Sequence, residues 1–250
     1  MEWKYAMNDA PVKRLAMWSG PRNISTAMMR AFENRPDCAV WDEPFYAAYL
    51  SHSGVVHPMQ DEIIQDGLPN PHDVVKGLLG PTPGGERLFY QKHMSHHMIA
   101  EMPRDWFGEV THGFLLRHPE KVTASYAAKR DEVTLEDIGF PQLVEIFDQV
   151  CDVTGTAPPV LDSDTVPKQP KASLSALCAA WDIPFTDAML SWPAGRRDSD
   201  GIWADWWYGQ VWQSTGFQAG KPKPINLTAE QQKVADAAMP HYERMRQHLL

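Results

Sequence analysis

Short, mostly apolar runs alternate along the chain with longer stretches in which apolar residues recur every three or four positions. Runs that are apolar on both faces are typical of parallel strands buried in a sheet. Parallel strands need crossover connections, which are usually helices. The alternation therefore predicts an α/β fold, with a parallel sheet flanked by helices. The predicted strands cover residues 14–18, 38–41, 88–90, 113–116 and 159–161, and a polar residue follows each.

Helical signals follow several of these runs. After the first run, Ile24, Ala27 and Ala31 lie on one face of a predicted helix. After the fourth run, Pro119 stands where a helix would begin, a position at which its missing N–H is not needed. Near the C-terminus, Thr228 begins a capping box ahead of an apolar stripe. Strand, loop and helix therefore follow one another as repeated units.

Two stretches interrupt this alternation. Residues 51–86 are rich in Pro, Gly and His, which predicts a long surface excursion. Residues 191–226, called the Trp-rich segment below, hold five of the ten tryptophans beside basic residues such as Arg196 and Lys221. They form either a lid or an ordinary packed subdomain with a solvated basic fringe. All 250 residues are expected to form one domain.

Composition removes several function classes. Hydrophobic residues make up 43% of the chain, enough for a full core. Lysine and arginine number 23 against 32 acidic residues, so the net charge of −9 argues against a nucleic-acid partner. No apolar run approaches the roughly 20 residues of a membrane span, and the first residues lack the apolar stretch of a signal peptide. We expect a cytoplasmic protein without a membrane span.

The loop after the first predicted strand has the features of an anion site. Residues 20–26 lead directly into a helix, whose unpaired amides and dipole attract anions, and Arg22 adds a positive charge. Ser25 and Thr26 supply hydroxyl donors. The loop is not a Walker A motif, which would need Gly at position 25 and Lys at position 26. The alternative is an ordinary capped helix start.

A second pair of residues with the chemistry of an anion site follows the fourth predicted strand. Arg117 lies at the strand end and Ser125 lies inside the next helix. From these positions both side chains are able to reach one phosphate, with the guanidinium as a bidentate clamp. The alternative is an arginine that pairs locally and a serine that bonds back to its own helix.

Together the two segments resemble the sulfotransferase family, and bacterial members in particular. The resemblance spans residues 14–185 and includes the stretches SGPRNISTAM, WDEPFYAAYL and LLRHPEKVTASY. Arg117 and Ser125 resemble the family's Arg-x7-Ser motif for a 3′-phosphate. The residues that resemble its 5′-phosphosulfate loop are Pro21, Arg22, Asn23, Ile24, Ser25 and Thr26.

This resemblance implies a P-loop NTPase-like architecture and 3′-phosphoadenosine 5′-phosphosulfate as the sulfuryl donor. The sulfuryl group would pass to a hydroxyl or amine of a small-molecule or lipid acceptor, and residues 51–86 would lie on the acceptor side. Two loop residues depart from the family pattern, since Arg22 replaces the usual lysine and Ile24 stands where cytosolic members have glycine. Gly220 with Lys221, or Arg196 with Arg197, would replace the family's C-terminal basic segment.

The sequence leaves two candidates for the catalytic base. In the family pattern a histidine lies two residues after a lysine, but counting from Lys92 that position is Met94. His93, His96 and His97 are the neighbouring candidates. His96 is slightly favoured, since the ordinary pKa of imidazole suits proton transfer at neutral pH.

Glu43 is the rival base. It follows the second predicted strand in the sequence Asp42-Glu43-Pro44, which resembles the Glu-Pro motif of bacterial glycolipid sulfotransferases, where the glutamate is the base. A loop carboxylate paired with Arg22 or Lys92 is the structural alternative. In either scheme Lys92 would neutralise the oxygen of the leaving group.

Neither scheme requires a metal, and the sequence shows no compact cluster of His and carboxylates at metal-ligand spacing. Two other functions remain open at this point. One is a P-loop kinase-like phosphotransferase, against which the missing Lys-Ser/Thr pair counts. The other is a nucleotide-binding module without turnover.

Overall fold

The computed structural model describes residues 11–128, 132–220 and 224–250. Its strands are β1 (Lys13–Ser19), β2 (Cys38–Asp42), β3 (Leu88–Met94), β4 (Thr111–Leu116) and β5 (Val160–Asp162). They form one sheet in the order β2-β3-β1-β4-β5, and every neighbouring pair is parallel. Each strand overlaps one of the predicted apolar runs. The predicted α/β class with a parallel sheet is therefore confirmed.

Both faces of the central strand β1 are buried. Leu15 and Met17 pack into one hydrophobic core, and Ala16 and Trp18 pack into another on the opposite face. Successive side chains of a strand point to opposite faces, so a strand covered on both sides is mostly apolar on both. This is why β1 is recognisable in the sequence as a nearly continuous apolar run.

The helices flank this sheet. The predicted helix starts are present, since Pro119 is the first residue of its helix and Thr228 forms a capping box with Gln231. The helices in the described residues are α1 (Ser25–Glu33), α2 (Tyr46–Ser53), α3 (Gln60–Asp66), α4 (Pro71–Leu79), α5 (Pro119–Ala127), α6 (Leu135–Ile138), α7 (Phe140–Thr154), α8 (Pro170–Ala180), α9 (Ala204–Trp207), α10 (Gly209–Trp212) and α11 (Ala229–Arg246).

The two interruptions of the alternation differ in structure. Residues 51–86 contain the complete helices α3 and α4, so much of the predicted excursion is helical. The Trp-rich segment is joined to α1 by a buried ion pair between Arg30 and Asp200. Trp212 donates its indole N–H to the same aspartate at 2.9 Å. Lys221, proposed above for the C-terminal basic segment, lies outside the described residues.

The sheet brings the loops of interest to one edge. Asp42 at the end of β2 is in register with Lys92 on β3, and Ser19 at the end of β1 is in register with Met94 and Leu115. The carboxyl ends of parallel strands are where open α/β sheets bind ligands. No helix among the described residues has both the length and the apolar character to cross a membrane.

Candidate active site

The loop between β1 and α1 has a strained backbone and leaves the start of the helix without a side-chain cap. Arg22 and Ile24 have φ values of 62° and 56°, in the left-handed region that non-glycine residues rarely adopt. Ile24 is the N-cap of α1, and its side chain cannot accept a hydrogen bond from the first helical amides. Those amides and the positive end of the helix dipole are therefore available to an anion.

Neighbouring elements hold this loop in place. The buried side chain of Asn23 donates to the carbonyls of Gly20 and Pro21, both at 3.0 Å. Ser163, after β5, donates its hydroxyl to the carbonyl of Asn23 at 3.1 Å. A Cβ at position 20 would lie 2.5 Å from the carbonyl oxygen of Ile138, so glycine is required at this close approach.

The structure brings together Arg22, Arg117 and Ser125, which come from two separate sequence segments. The Nε of Arg22 donates to the hydroxyl of Ser125 at 2.9 Å. The Nη1 of Arg117 donates to the backbone carbonyl of Arg22 at 2.9 Å. Burial and the nearby charge of Arg117 both lower the pKa of Arg22. A bound anion would relieve this repulsion between two guanidinium groups.

A carboxylate that was not predicted from the sequence lies beside Arg117. Asp164, after β5, accepts from the Nε of Arg117 at 3.2 Å and from the Nζ of Lys121 at 2.8 Å. Partial burial opposes its ionisation, but Lys121 and Arg117 outweigh burial and hold the pKa of Asp164 below its ordinary value. Asp164 and Lys121 also line a cavity of about 330 Å³ next to the arginine.

A second cluster centres on Lys92 at the end of β3, where the lysine is buried. Its Nζ donates to Asp42 at 2.8 Å, to Glu43 at 2.5 Å and to the hydroxyl of Tyr208 at 3.0 Å. That hydroxyl in turn donates to the other oxygen of Asp42 at 2.6 Å. Burial opposes the charge on Lys92, but the two carboxylates raise its pKa well above its ordinary value. Lys92 therefore stays charged at neutral pH.

Glu43 is placed by the backbone at a sharp change of direction. Its φ is 46°, and its N–H continues the sheet by donating to the carbonyl of Lys92 at 2.9 Å. Burial raises the pKa of Glu43 and Asp42 adds to the rise, while Lys92 opposes it. One carboxylate oxygen is bound to Lys92, and the other lies 3.9 Å from the Nε2 of His97.

The three candidate histidines occupy different places. His93 follows Lys92 on β3, so it points to the opposite face of the sheet, where it stacks on Trp18 with ring centroids 4.4 Å apart. His97 is sandwiched between Tyr46 and Tyr49, with ring centroids at 4.6 and 4.9 Å. Of the three, His97 is the one that the structure brings to Glu43.

Burial weakens all three histidines as bases. It lowers the pKa of His96 to about 4 and the pKa values of His93 and His97 well below the ordinary value. His96 is therefore not the unperturbed imidazole expected from the sequence, because desolvation disfavours its charged form. In contrast, burial raises the pKa of Glu43 above its ordinary value.

Two participants of the Lys92 cluster were not predicted. Tyr208 comes from the Trp-rich segment, and the only sequence signal for it is the concentration of aromatic residues there. Asp42 was noted as part of the Asp-Glu-Pro sequence but not as a partner of the lysine. The described residues contain no group of three or more His, Cys, Asp or Glu side chains able to hold a metal ion.

The chain is similar in sequence to known proteins. A family model described as "Sulfotransferase domain" matches residues 13–249. Two Arabidopsis thaliana relatives, branched-chain-amino-acid aminotransferase-like proteins 1 and 2, are each 34% identical over 232 residues, covering 93% of this chain. The chain spans only 41% of the length of each relative.

Solved structures show the same fold at low identity. A sulfotransferase from Alicyclobacillus acidocaldarius has a TM-score of 0.53 at 11% identity, covering 95% of this chain and 97% of its own. The sulfotransferase domain of the curacin biosynthetic pathway has a TM-score of 0.52 at 14% identity, covering 92% of this chain and 98% of its own. The parallel sheet flanked by helices is thus the architecture of these proteins.

Proposed function

Because the chain belongs to the sulfotransferase family, we propose that it transfers a sulfuryl group from 3′-phosphoadenosine 5′-phosphosulfate to a hydroxyl or amine of a small-molecule or lipid acceptor. The observation that carries this proposal is the contact of Arg22 with Ser125 and of Arg117 with the Arg22 carbonyl. Two guanidinium groups, a hydroxyl and the uncapped start of α1 converge there. This set of donors fits a ligand with more than one anionic group.

The donor nucleotide would be divided between these groups. Arg22 and the first amides of α1 would hold the 5′-phosphosulfate, with the hydroxyls of Ser25 and Thr26 as further donors. Arg117 and Ser125 would hold the 3′-phosphate. Asp164 has a positioning role, since its hydrogen bond to the Nε of Arg117 fixes one edge of the guanidinium.

In the proposed reaction, a lone pair on the acceptor oxygen or nitrogen attacks sulfur. The bond between sulfur and the bridging phosphate oxygen breaks, and 3′-phosphoadenosine 5′-phosphate leaves with that electron pair. Lys92 would stabilise the negative charge that develops on the bridging oxygen, because its carboxylate partners keep it protonated. Positioning of donor and acceptor supplies the rest of the rate enhancement, as in the analogous phosphoryl transfers.

Glu43 is the proposed base. Its Oε1 is engaged by Lys92, which leaves Oε2 to take the acceptor's proton. Its raised pKa makes it a stronger base than an ordinary carboxylate, whereas His96 has a pKa of about 4. We therefore rank Glu43 above His96, the reverse of the order favoured by the sequence, and we do not assign His93 a role in the reaction.

The test is a transfer assay with donor labelled at sulfur. The purified chain is incubated with ³⁵S-labelled 3′-phosphoadenosine 5′-phosphosulfate and a panel of hydroxylated and amine acceptors, and in parallel with γ-³²P-ATP and magnesium. We expect label to move from the sulfuryl donor and not from ATP. Transfer from ATP alone would indicate a kinase-like phosphotransferase, and nucleotide binding without any transfer would indicate a non-catalytic module.

A further inference from the structure

A cavity of about 210 Å³ adjoins Glu43. Its walls come from the end of β2, the start of α2, the end of α3 and the Trp-rich segment. The apolar part of the wall is formed by Trp41, Pro44, Ala47, Leu68 and Trp203. A cavity with apolar walls next to a proposed base is where an acceptor would bind.

The charged part of this wall has one sign. Of the described residues that line the cavity, four are carboxylates and none is a lysine or arginine. Two of the cations behind the wall each bind more than one carboxylate. Lys92 forms ion pairs with both Asp42 and Glu43. Likewise Arg30 binds both Asp200 and a second carboxylate on its own helix. Arg197 adds one more cation, 4.0 Å from that second carboxylate, so among the described residues five carboxylates face three cations and the cavity keeps a net negative charge.

Among the carboxylates that line this cavity, Asp66 is the one available to pair with a ligand. Its side chain is exposed, and within the described residues it makes no hydrogen bond or ion pair. It is the last residue of α3, where the negative end of the helix dipole makes a carboxylate unfavourable. Helix stability therefore does not explain an acidic residue at this position.

A second polar group on the wall lacks a partner. Trp203 is 9% exposed, and its indole Nε1–H is buried without an acceptor in the described part of the chain. Gly201 permits this placement, because a Cβ there would lie 2.2 Å from the tryptophan ring. A buried donor without a partner is costly, so an acceptor atom supplied by a ligand would satisfy it.

We infer that the acceptor of this cavity is a small hydroxylated molecule that carries an ammonium group remote from its reacting oxygen. The hydroxyl would lie at Glu43, the body against the tryptophan walls, and the ammonium group at Asp66. Aromatic faces and carboxylates together favour organic cations over neutral or anionic molecules. This inference rests on the proposed sulfuryl transfer, and it selects among the acceptors that the transfer chemistry allows.

The test uses three phenols that differ in one substituent, which is positive, neutral or negative at neutral pH. They carry an aminoethyl, a hydroxyethyl or a carboxymethyl chain opposite the phenolic hydroxyl. Binding is measured by calorimetry with 3′-phosphoadenosine 5′-phosphate present, and transfer is measured with labelled donor. We expect the aminoethyl phenol to bind about fivefold more tightly than the hydroxyethyl phenol, the preference that one ion pair of about 1 kcal/mol provides.

Asp66→Asn should abolish most of that preference, while Glu62→Gln, an exposed change on the same helix but outside the cavity, should keep it. Equal binding of all three phenols, or binding of none, overturns the inference. Equal transfer to all three contradicts the inference but supports the proposed function. A preference for the aminoethyl phenol in binding, with no transfer to any phenol, supports the inference and contradicts the proposed function.

Discussion

Glu43 combines a left-handed backbone conformation with a buried carboxylate that shares Lys92 with Asp42. We expect Glu43→Gln to lower turnover by roughly 10²–10⁴-fold, because the amide cannot take the acceptor's proton. His96→Ala should change turnover by no more than about threefold. Both variants are assayed with saturating labelled donor. Normal turnover in Glu43→Gln with a loss in His96→Ala would make the histidine the base.

The same residue sets the expected pH dependence. Turnover requires ionised Glu43, so it should fall as pH decreases through the pKa of this carboxyl. Burial raises that pKa, and the fall is therefore expected at a higher pH than for an ordinary glutamate. The measurement is the pH profile of kcat at saturating donor and acceptor. A rate that does not change until the pH falls below the ordinary range of glutamate would argue against Glu43.

Among the connecting elements, the loop between β1 and α1 is closely packed at its first residue, Gly20. Gly20→Ala would place a methyl group 2.5 Å from the Ile138 carbonyl oxygen, so the loop must shift. We expect a loss of about 1–3 kcal/mol in the free energy of unfolding, measured with urea, and weaker nucleotide binding. Gly209→Ala is the control, since no atom lies within 4 Å of its added Cβ. An equal effect of both variants would contradict the packing argument.

The attachment of the Trp-rich segment to α1 depends on a buried charge pair. Arg30→Met would leave the buried carboxylate of Asp200 without its cation, at an expected cost of about 3–5 kcal/mol in the free energy of unfolding. Arg244→Ala removes an exposed pair with Asp148 and should cost no more than about 1 kcal/mol. Urea unfolding of both variants checks this. Similar stability of the two would mean that the Arg30 pair does not anchor the segment.

For the whole molecule, the pattern of apolar runs was sufficient to locate the strands, because a strand buried on both faces is visible as a run. The strand order β2-β3-β1-β4-β5 could not be predicted from these runs. Strand order depends on where each crossover helix packs, and local hydrophobicity does not determine that. One domain of 250 residues and a cytoplasmic location stay predictions.

The residues of the candidate site, like the strand order, could be predicted from the sequence only in part. Arg22, Arg117 and Ser125 were identified from local motifs, and the structure brings them into contact. Tyr208 and Asp164 were missed, because they lie 116 and 47 positions from Lys92 and Arg117. The order of the candidate bases reversed because burial, which determines the pKa of His96, is a property of the folded chain.

The central claim is that this sheet edge binds a nucleotide with phosphates at both the 3′ and 5′ positions. The most direct measurement is calorimetric titration of wild type and Arg117→Ala with 3′-phosphoadenosine 5′-phosphate and with AMP. Wild type should prefer the bisphosphate by roughly 10- to 100-fold, the value of a charge-assisted hydrogen bond of about 1.5–3 kcal/mol. Arg117→Ala should lose most of that preference, while Arg246→Ala, which removes an exposed arginine paired with Glu243, should keep it. Equal affinity of the wild type for the two nucleotides would contradict the claim.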